Sequence, residues 1–597
     1  VRTSSPSPGS EVSGRFGPLR LDRGYRFRLY APGASAVVLT VDGRTTPMQR
    51  DGAWFVADDD AAHDGSRYTF TIDGGLTVPD PGSRFQPDGV HGPSAIADAP
   101  FAWPDDGWTG RPWHEHVIYE LHVGTFTFEG TYEAAIAKLD DLVALGVTAV
   151  ELMPIAAFPG ARNWGYDGVL HYAPYAGYGT PHDLKRFVAA AHARGLAVLI
   201  DVVYNHFGPE GNYLHAYAPP FFNEGVHTPW GAALDITVPE VRAYFIENAA
   251  YWLTAYRFDG LRLDATHAIA DPHHPAFLHD LRAYARAAVG PERHIALVVE
   301  NDDNDIALLD DGYDAQWNDD VHHCAHVLGT GEDGGYFQDY AADPAGMLGR
   351  ALATGYAVQG EPSAHRGGKL RGSPSARLPL SAFVSFLQNH DQIGNRAFGE
   401  RISRLTTPAV LHALTALVFL APAPPLLFMG EEWAASTPFL YFCDFEPELA
   451  RLVTEGRRRE FGAFAAFDDP HVRETIPDPS APQTFAASVL RWEERGEPEH
   501  AAMLAFVTRV LQTRQREVVP YVATITGTSA AYERVGERGL ALRWAIPGGM
   551  LHADAQLGPA SDAPFRAQLP GTTFFHTHGA TYDDGRAPAW SVRWSRA

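Results

Sequence analysis

The chain has 597 residues, 45% of them hydrophobic and 20% charged, too many for one compact core and with no apolar tract long enough to cross a bilayer. Lys+Arg 47 against Asp+Glu 72 leaves a formal net charge of −25, a field that repels nucleic-acid phosphates and anionic membranes and suits a neutral or cationic ligand better. Two distant cysteines, Cys324 and Cys443, give no disulfide framework, and the opening VRTSSPSPGS has no secretory apolar core, so a cytoplasmic protein, and a monomer, is expected.

Near the N-terminus YRFRLY (25–30), AVVLTV (36–41) and RYTFTI (67–72) alternate apolar and polar residues, the period of strands buried on one face. Asp42-Gly43, Asp51-Gly52 and Asp73-Gly74 supply turns. An immunoglobulin-like β-sandwich is expected over residues 1–110, either binding the ligand or buttressing the neighbouring domain.

From about Val117 the pattern changes to apolar strand, amphipathic helix, strand, as in parallel βαβ units. Ile136, Leu139, Leu142 and Leu145 share a helical face that stops at Gly146; Leu184, Phe187, Val188 and Ala191 do the same before Gly195. Eight strands are predicted: 117–123, 147–153, 196–203, 258–264, 294–300, 313–317, 383–389 and 425–430. That number suggests a (β/α)₈ barrel over 111–520. Past Tyr521 helices cease, and a C-terminal β-sandwich is expected over 521–597.

In such a barrel the chemistry lies at the C-terminal ends of the strands. Four ends carry polar groups: LIDVVYNH (199–206), FDGLRLDATH (258–267), LVVEND (297–302) and SFLQNHDQIGN (385–395). Arg262 and Asp264, two apart on one strand, must face the same side, and a buried ion needs a partner, so Asp201 should join them. An ion pair that only stabilises the barrel explains Arg262 and Asp201 as well as a catalytic role does. It does not explain why Asp264, Glu300 and Asp391 stand at the tops of three strands, with His206 and His390 beside them.

Cleavage of a glycosidic bond needs one ionised carboxylate and one kept protonated, about 5 Å apart if configuration is retained. Asp264 beside Arg262 suits the first task, and Glu300 after Leu297-Val298-Val299 suits the second. Asp391, with His390 and His206, is placed to hydrogen-bond sugar hydroxyls and steady a positive transition state. Tyr166, in the loop Asn163-Trp164-Gly165-Tyr166, can stack under a sugar, whereas loop packing explains Trp164. His322, His323, Cys324 and His326 lack a third ligand at metal spacing and read as helix residues rimming the cleft. No GxSxG, phosphate loop or GxGxxG competes.

DVVYNH, GLRLDATH, VVEN and LQNHD resemble, in order and on the expected strands, the four short regions of the α-amylase family of glycoside hydrolases. The resemblance implies Asp264 as nucleophile, Glu300 as acid/base and Asp391 as transition-state stabiliser. It places Tyr166, His206, Arg262 and His390 around the sugar under attack, with Asp201 and Asn389 in the same motifs and Gln392 directly after the last of them. Many members continue as Asp-Ala-x-Lys-His, whereas Asp264 is followed by Ala265, Thr266, His267 and Ala268; the leaving-group side, including His267, should therefore differ. Trp230, Phe222 and Tyr213 are candidates for it.

NWGYDG (163–168), WNDDVHH (317–323), QNHDQIGNRAFGER (388–401), PLLFMGEEW (425–433) and DFEPELARLVTEGRRREF (444–461) resemble the trehalose-releasing members. What they imply is hydrolysis of the α-1,4 bond beside the terminal trehalose of maltooligosyltrehalose. Neither cofactor nor metal is expected, since 207–257 leaves little room for the inserted domain that builds a calcium site in many members. A glycogen-branching enzyme sharing the same covalent intermediate, and a non-catalytic glucan-binding protein, are the alternatives.

Overall fold

The computed structural model describes residues 14–104, 107–228, 231–273, 275–462, 469–561, 563–579 and 581–597. Strands form at Tyr25–Tyr30, Val37–Val41 and Arg67–Ile72, where the alternation requires them. They belong to two antiparallel sheets that enclose Phe27, Leu29, Leu39, Phe55 and Phe70. Asp42 and Gly43 take φ of 47° and 81°, and Asp73 and Gly74 take 50° and 70°, the left-handed pairs of tight hairpins. These sheets lean on the central domain through Arg84. Its guanidinium carbon sits 4.4 Å from the ring centre of Tyr172 and 4.2 Å from that of Tyr251, and Tyr244 Oη donates to the Pro81 carbonyl at 2.9 Å.

Eight parallel strands then close into a barrel: β1 Ile118–Leu121, β2 Ala149–Leu152, β3 Ala197–Val202, β4 Gly260–Leu263, β5 Ala296–Val299, β6 Ala315–Trp317, β7 Phe383–Phe386 and β8 Pro425–Phe428. Each lies inside a segment predicted from sequence. The barrel floor is apolar, with Ile118, Ala149, Ala197, Leu199, Ala296, Val298, Ala315, Val384, Phe386 and Leu426 packed together. Counting upward in twos along each strand puts Glu120, Glu151, Asp201 and Arg262 in the layer above, and Asp201 is in register with Arg262 across β3 and β4. Polar residues inside apolar strands thus share one interior level.

The helix expected over 131–145 is two, Tyr132–Ile136 and Leu139–Leu145, broken at Ala137-Lys138; Gly146 ends the second with φ 106°. The helix after β2, Pro181–His192, starts on a reciprocal cap between Thr180 and Asp183. Among the described residues no helix is long and apolar enough to cross a membrane.

The C-terminal sandwich expectation needs correction. The described residues there form one antiparallel sheet, in the order 530–535, 539–546, 549–556, 591–596, 572–576. Its second layer is helical. Leu540, Trp544 and Trp594 are buried, Trp544 Nε1 donates to the Leu352 carbonyl and Trp594 Nε1 to that of Ala416. Helices Pro344–Thr354 and Pro408–Leu420 cover the apolar face that a second sheet would otherwise have to cover.

Candidate active site

Arg262 is 0% exposed and lies beneath three carboxylates. Nη1 is 2.7 Å from Asp201 Oδ2 and 2.8 Å from Asp264 Oδ1, and Nη2 is 2.8 Å from Glu300 Oε2. Its guanidinium carbon stands 4.2 Å from the Trp317 ring centre. One cation therefore anchors the ends of β3, β4 and β5, so that none of the three acids is buried without an opposite charge.

Asp264 and Glu300 meet different environments around that shared cation. Burial alone would raise Asp264, but Arg262, a 2.9 Å hydrogen bond from Asn205 Nδ2 and nearby His206 outweigh it and hold the carboxyl below its ordinary value. For Glu300 burial wins. Asp264 and Asp391 add to it, while Arg262 and a 2.8 Å hydrogen bond from the Ala265 N–H oppose it, and the net direction is upward. Ala265 reaches that position with φ 39°, a left-handed conformation unusual for a residue with a Cβ.

Tyr166 and His390 form the opposite wall. Tyr166 Oη donates to Asp201 Oδ2 at 2.6 Å and accepts from His390 Nε2 at 2.8 Å. The two rings stack with centres 5.1 Å apart. Burial disfavours the His390 cation, yet Asp391 and Glu120 push its pKa up to about 9, so the ring is an imidazolium at neutral pH. His206 Nε2 contacts the Tyr166 carbonyl at 3.0 Å, and its Nδ1 contacts Asn205 Oδ1. The Asp391 side chain is 36% exposed, its Oδ2 lying 3.4 Å from His390 Nε2.

Several residues expected to bind substrate are hydrogen-bonded to protein groups. Arg262, Asp201 and Asn389 are buried; the first two bind the carboxylates and Tyr166, and Asn389 caps the helix His390–Gly394 by accepting the Gln392 N–H. His267, a third exposed, lies at the rim 3.7 Å from Asp302. Gln392 donates from Nε2 to Asp319 Oδ1 at 3.0 Å. Trp230 lies outside the described residues. Tyr213 is hydrogen-bonded to His91, and Phe222 is stacked on His215.

Trp164 packs in the loop, with Nε1 donating to the Leu440 carbonyl at 2.9 Å. His322, His323 and His326 are buried in the helix Asp319–Thr330 rather than rimming the cleft. His322 contacts the Leu387 carbonyl and His326 contacts Glu332. Among the described residues no three His, Cys, Asp or Glu side chains gather as metal ligands would.

Glu120, Glu151 and Asp319 were not anticipated. Glu120 and Glu151 carry the signal that singled out Asp201, an acid inside an apolar strand. Glu120 grips His390, and neither of the buried Glu151 carboxyl oxygens has a hydrogen-bond partner among the described residues. Burial, reinforced by Glu120 and Asp201, drives Glu151 well above the usual carboxyl range. Asp319 follows Trp317-Asn318 at the end of β6.

Residues 91–219 match the family model of the alpha amylase catalytic domain. The malto-oligosyltrehalose trehalohydrolase of Deinococcus radiodurans is 44% identical over 84% of this chain and 83% of its own length. That of Arthrobacter ramosus is 45% identical over 82% and 87%. A 1,4-alpha-glucan branching enzyme from Photobacterium profundum is 33% identical over 40% of this chain and 38% of its own. Among solved structures, a Salmonella typhimurium protein provisionally named an alpha amylase superposes with TM-score 0.93 at 42% identity, covering 98% of this chain and 100% of its own. A Paenibacillus barengoltzii pullulanase, at 20% identity and TM-score 0.71 over 97% and 94%, shares the fold.

Proposed function

The chain belongs to the malto-oligosyltrehalose trehalohydrolase family, and from that premise we propose that it hydrolyses the α-1,4 bond next to the terminal trehalose of maltooligosyltrehalose. The observation that carries the chemistry is the shared guanidinium of Arg262. It keeps Asp264 ionised and holds Glu300 beside it, while burial favours the protonated form of Glu300. Two carboxyls on one guanidinium fit the about 5 Å spacing of a retaining pair better than the wider gap of an inverting one.

In this reading an Asp264 oxygen bonds to the anomeric carbon as the bond to the trehalose oxygen breaks, and Glu300 gives that oxygen its proton. The Glu300 carboxylate then takes a proton from water as the water oxygen bonds to the anomeric carbon and the Asp264 ester breaks. Asp391, Tyr166, His206 and His390 line the sugar under attack, and His267 and Gln392 line the departing side. We divide the chain at residues 110 and 520, and read it as a cytoplasmic monomer whose two buried cysteines stay reduced.

The test is to incubate the protein with maltotriosyltrehalose and, separately, maltopentaose, identifying products and counting new reducing ends. Free trehalose, with much slower cutting of maltopentaose, is expected. Equal cutting of both would replace this reading with a general amylase. New α-1,6 branches without new reducing ends would replace it with a branching enzyme.

A further inference from the structure

Two adjacent acids open the helix after β6, and they are treated differently. Asp320 is buried and fully engaged: Oδ1 meets Arg371 Nη1 at 3.0 Å and the Tyr340 hydroxyl at 2.5 Å, and Oδ2 accepts from Asn304 Nδ2 and the backbone N–H groups of Ala357 and Val358. Among the described residues Asp319 has one hydrogen bond, from Gln392 Nε2 to Oδ1 at 3.0 Å. Its Oδ2 has no hydrogen-bond partner among the described residues and is not among the sealed polar atoms.

Val299 and Gln316 are in register across β5 and β6, which brings Asp319 to the strand end beside that of Glu300, and its hydrogen-bond partner Gln392 follows Asp391 in the chain. Asp319 is therefore on the cleft, next to the group read as the acid. Tyr166, Asp201 and His206 cluster around Asp264, at the other end of the Arg262 guanidinium. A residue beside Glu300 and apart from that cluster faces the sugar that receives the proton.

We propose that Asp319 binds the leaving group, its open oxygen hydrogen-bonding a hydroxyl of the first glucose of the departing trehalose while Gln392 fixes the orientation of the carboxyl. Burial, with Glu300 and Asp391 adding, pushes Asp319 up to about 8. At neutral pH it is then largely a carboxylic acid, able to donate as well as accept, and adds little negative charge next to Glu300. The proposal rests on Glu300 as acid and on a sugar as leaving group. Retaining the acid pair without Asp319 would leave the departing sugar less firmly placed.

The experiment compares wild type, Asp319→Ala and Asp319→Asn on maltotriosyltrehalose and on para-nitrophenyl α-maltotrioside, whose aryl leaving group has no sugar hydroxyl. Asp319→Ala is expected to lower kcat/KM on maltotriosyltrehalose about tenfold or more, the worth of one hydrogen bond in a closed site. On the aryl substrate the change should stay within about twofold, and Asp319→Asn, which can still donate and accept, should recover most of the loss. The inhibition constant of free trehalose should rise with Asp319→Ala by a similar factor. Equal losses on both substrates, or none on either, would overturn the proposal. If wild type releases no trehalose, the trehalohydrolase reading fails by itself, and maltopentaose then serves as the sugar-leaving substrate in the same comparison.

Discussion

Glu120 and His390 are 270 residues apart in the chain, yet one Glu120 carboxylate accepts both the backbone N–H of His390, at 3.1 Å, and its ring Nδ1–H, at 2.5 Å. The histidine that holds the Tyr166 hydroxyl is thus itself held by the first barrel strand.

Replacing Glu120 with Gln should lower the His390 pKa from about 9. The folded value stands above the ordinary 6.5, so the stabilisation is fully present below about pH 6.5 and is lost as pH rises through about 9. Wild type should exceed Glu120→Gln in denaturant midpoint most at pH 6, and the difference should shrink by pH 10. A difference independent of pH would show that the pairing leaves the charge of His390 unchanged.

Asp264→Asn and Glu300→Gln should each lower turnover of maltotriosyltrehalose about a thousandfold or more with the fold intact. Circular dichroism checks the fold and product analysis checks the rate. Normal activity in either variant would move the chemistry elsewhere.

The rate should fall at both ends of the pH scale. Asp264 must be ionised, so activity drops as pH falls through a value below the ordinary 3.8. Glu300 must be protonated, so activity drops as pH rises through a value above the ordinary 4.5. Because the two acids interact, the limbs belong to the pair. In Glu300→Gln, assayed on the aryl maltotrioside, the alkaline limb should vanish.

Arg262→Ala should destabilise the protein by about 3–5 kcal/mol, the cost of leaving buried carboxylates without their cation. Arg262→Lys keeps the charge but loses the fork that reaches Asp264 and Glu300 together, so it should fold better than the alanine variant and still lose most of its turnover. Chemical denaturation and kcat/KM measured side by side separate the two effects.

Gly394→Ala would place a Cβ 2.0 Å from Trp164 Cζ2. Trp164 cannot retreat, since its Nε1 is tied to the Leu440 carbonyl, so the helix carrying His390 and Asp391 must shift. A stability loss of about 1–3 kcal/mol, with a lower kcat, is expected. Unaltered kinetics would show that this helix adjusts without moving Asp391.

The barrel was legible because its strands are apolar runs of fixed length separated by amphipathic helices, and the four motif ends stood out as polar residues closing apolar strands. Glu120 and Glu151 were missed for a related reason: each is a single acid inside such a run, with no second carboxylate and no arginine or lysine in the run to pair with it. Their context comes from β3, β4 and the loop after β7. Asp319 and Asp320 look identical in sequence, and what tells them apart lies elsewhere in the chain: Arg371, Tyr340, Asn304 and the backbone of Ala357 and Val358 satisfy the second and leave the first open. The C-terminal sheet was misjudged because alternation announces a buried face without saying whether strands or helices cover it.

The guanidinium of Arg84, clasped by Tyr172 and Tyr251, joins a segment of the N-terminal region to the loop after β2 and to the helix that precedes β4. Melting either partner alone would strip a cation of its aromatic sheath and open the Pro81–Tyr244 bond to water. The N-terminal sheets and the barrel are thereby energetically coupled: a substitution at Arg84, distant from every catalytic group, should raise the population of partly opened molecules, and protease sensitivity with it, before it alters any rate constant of the chemistry.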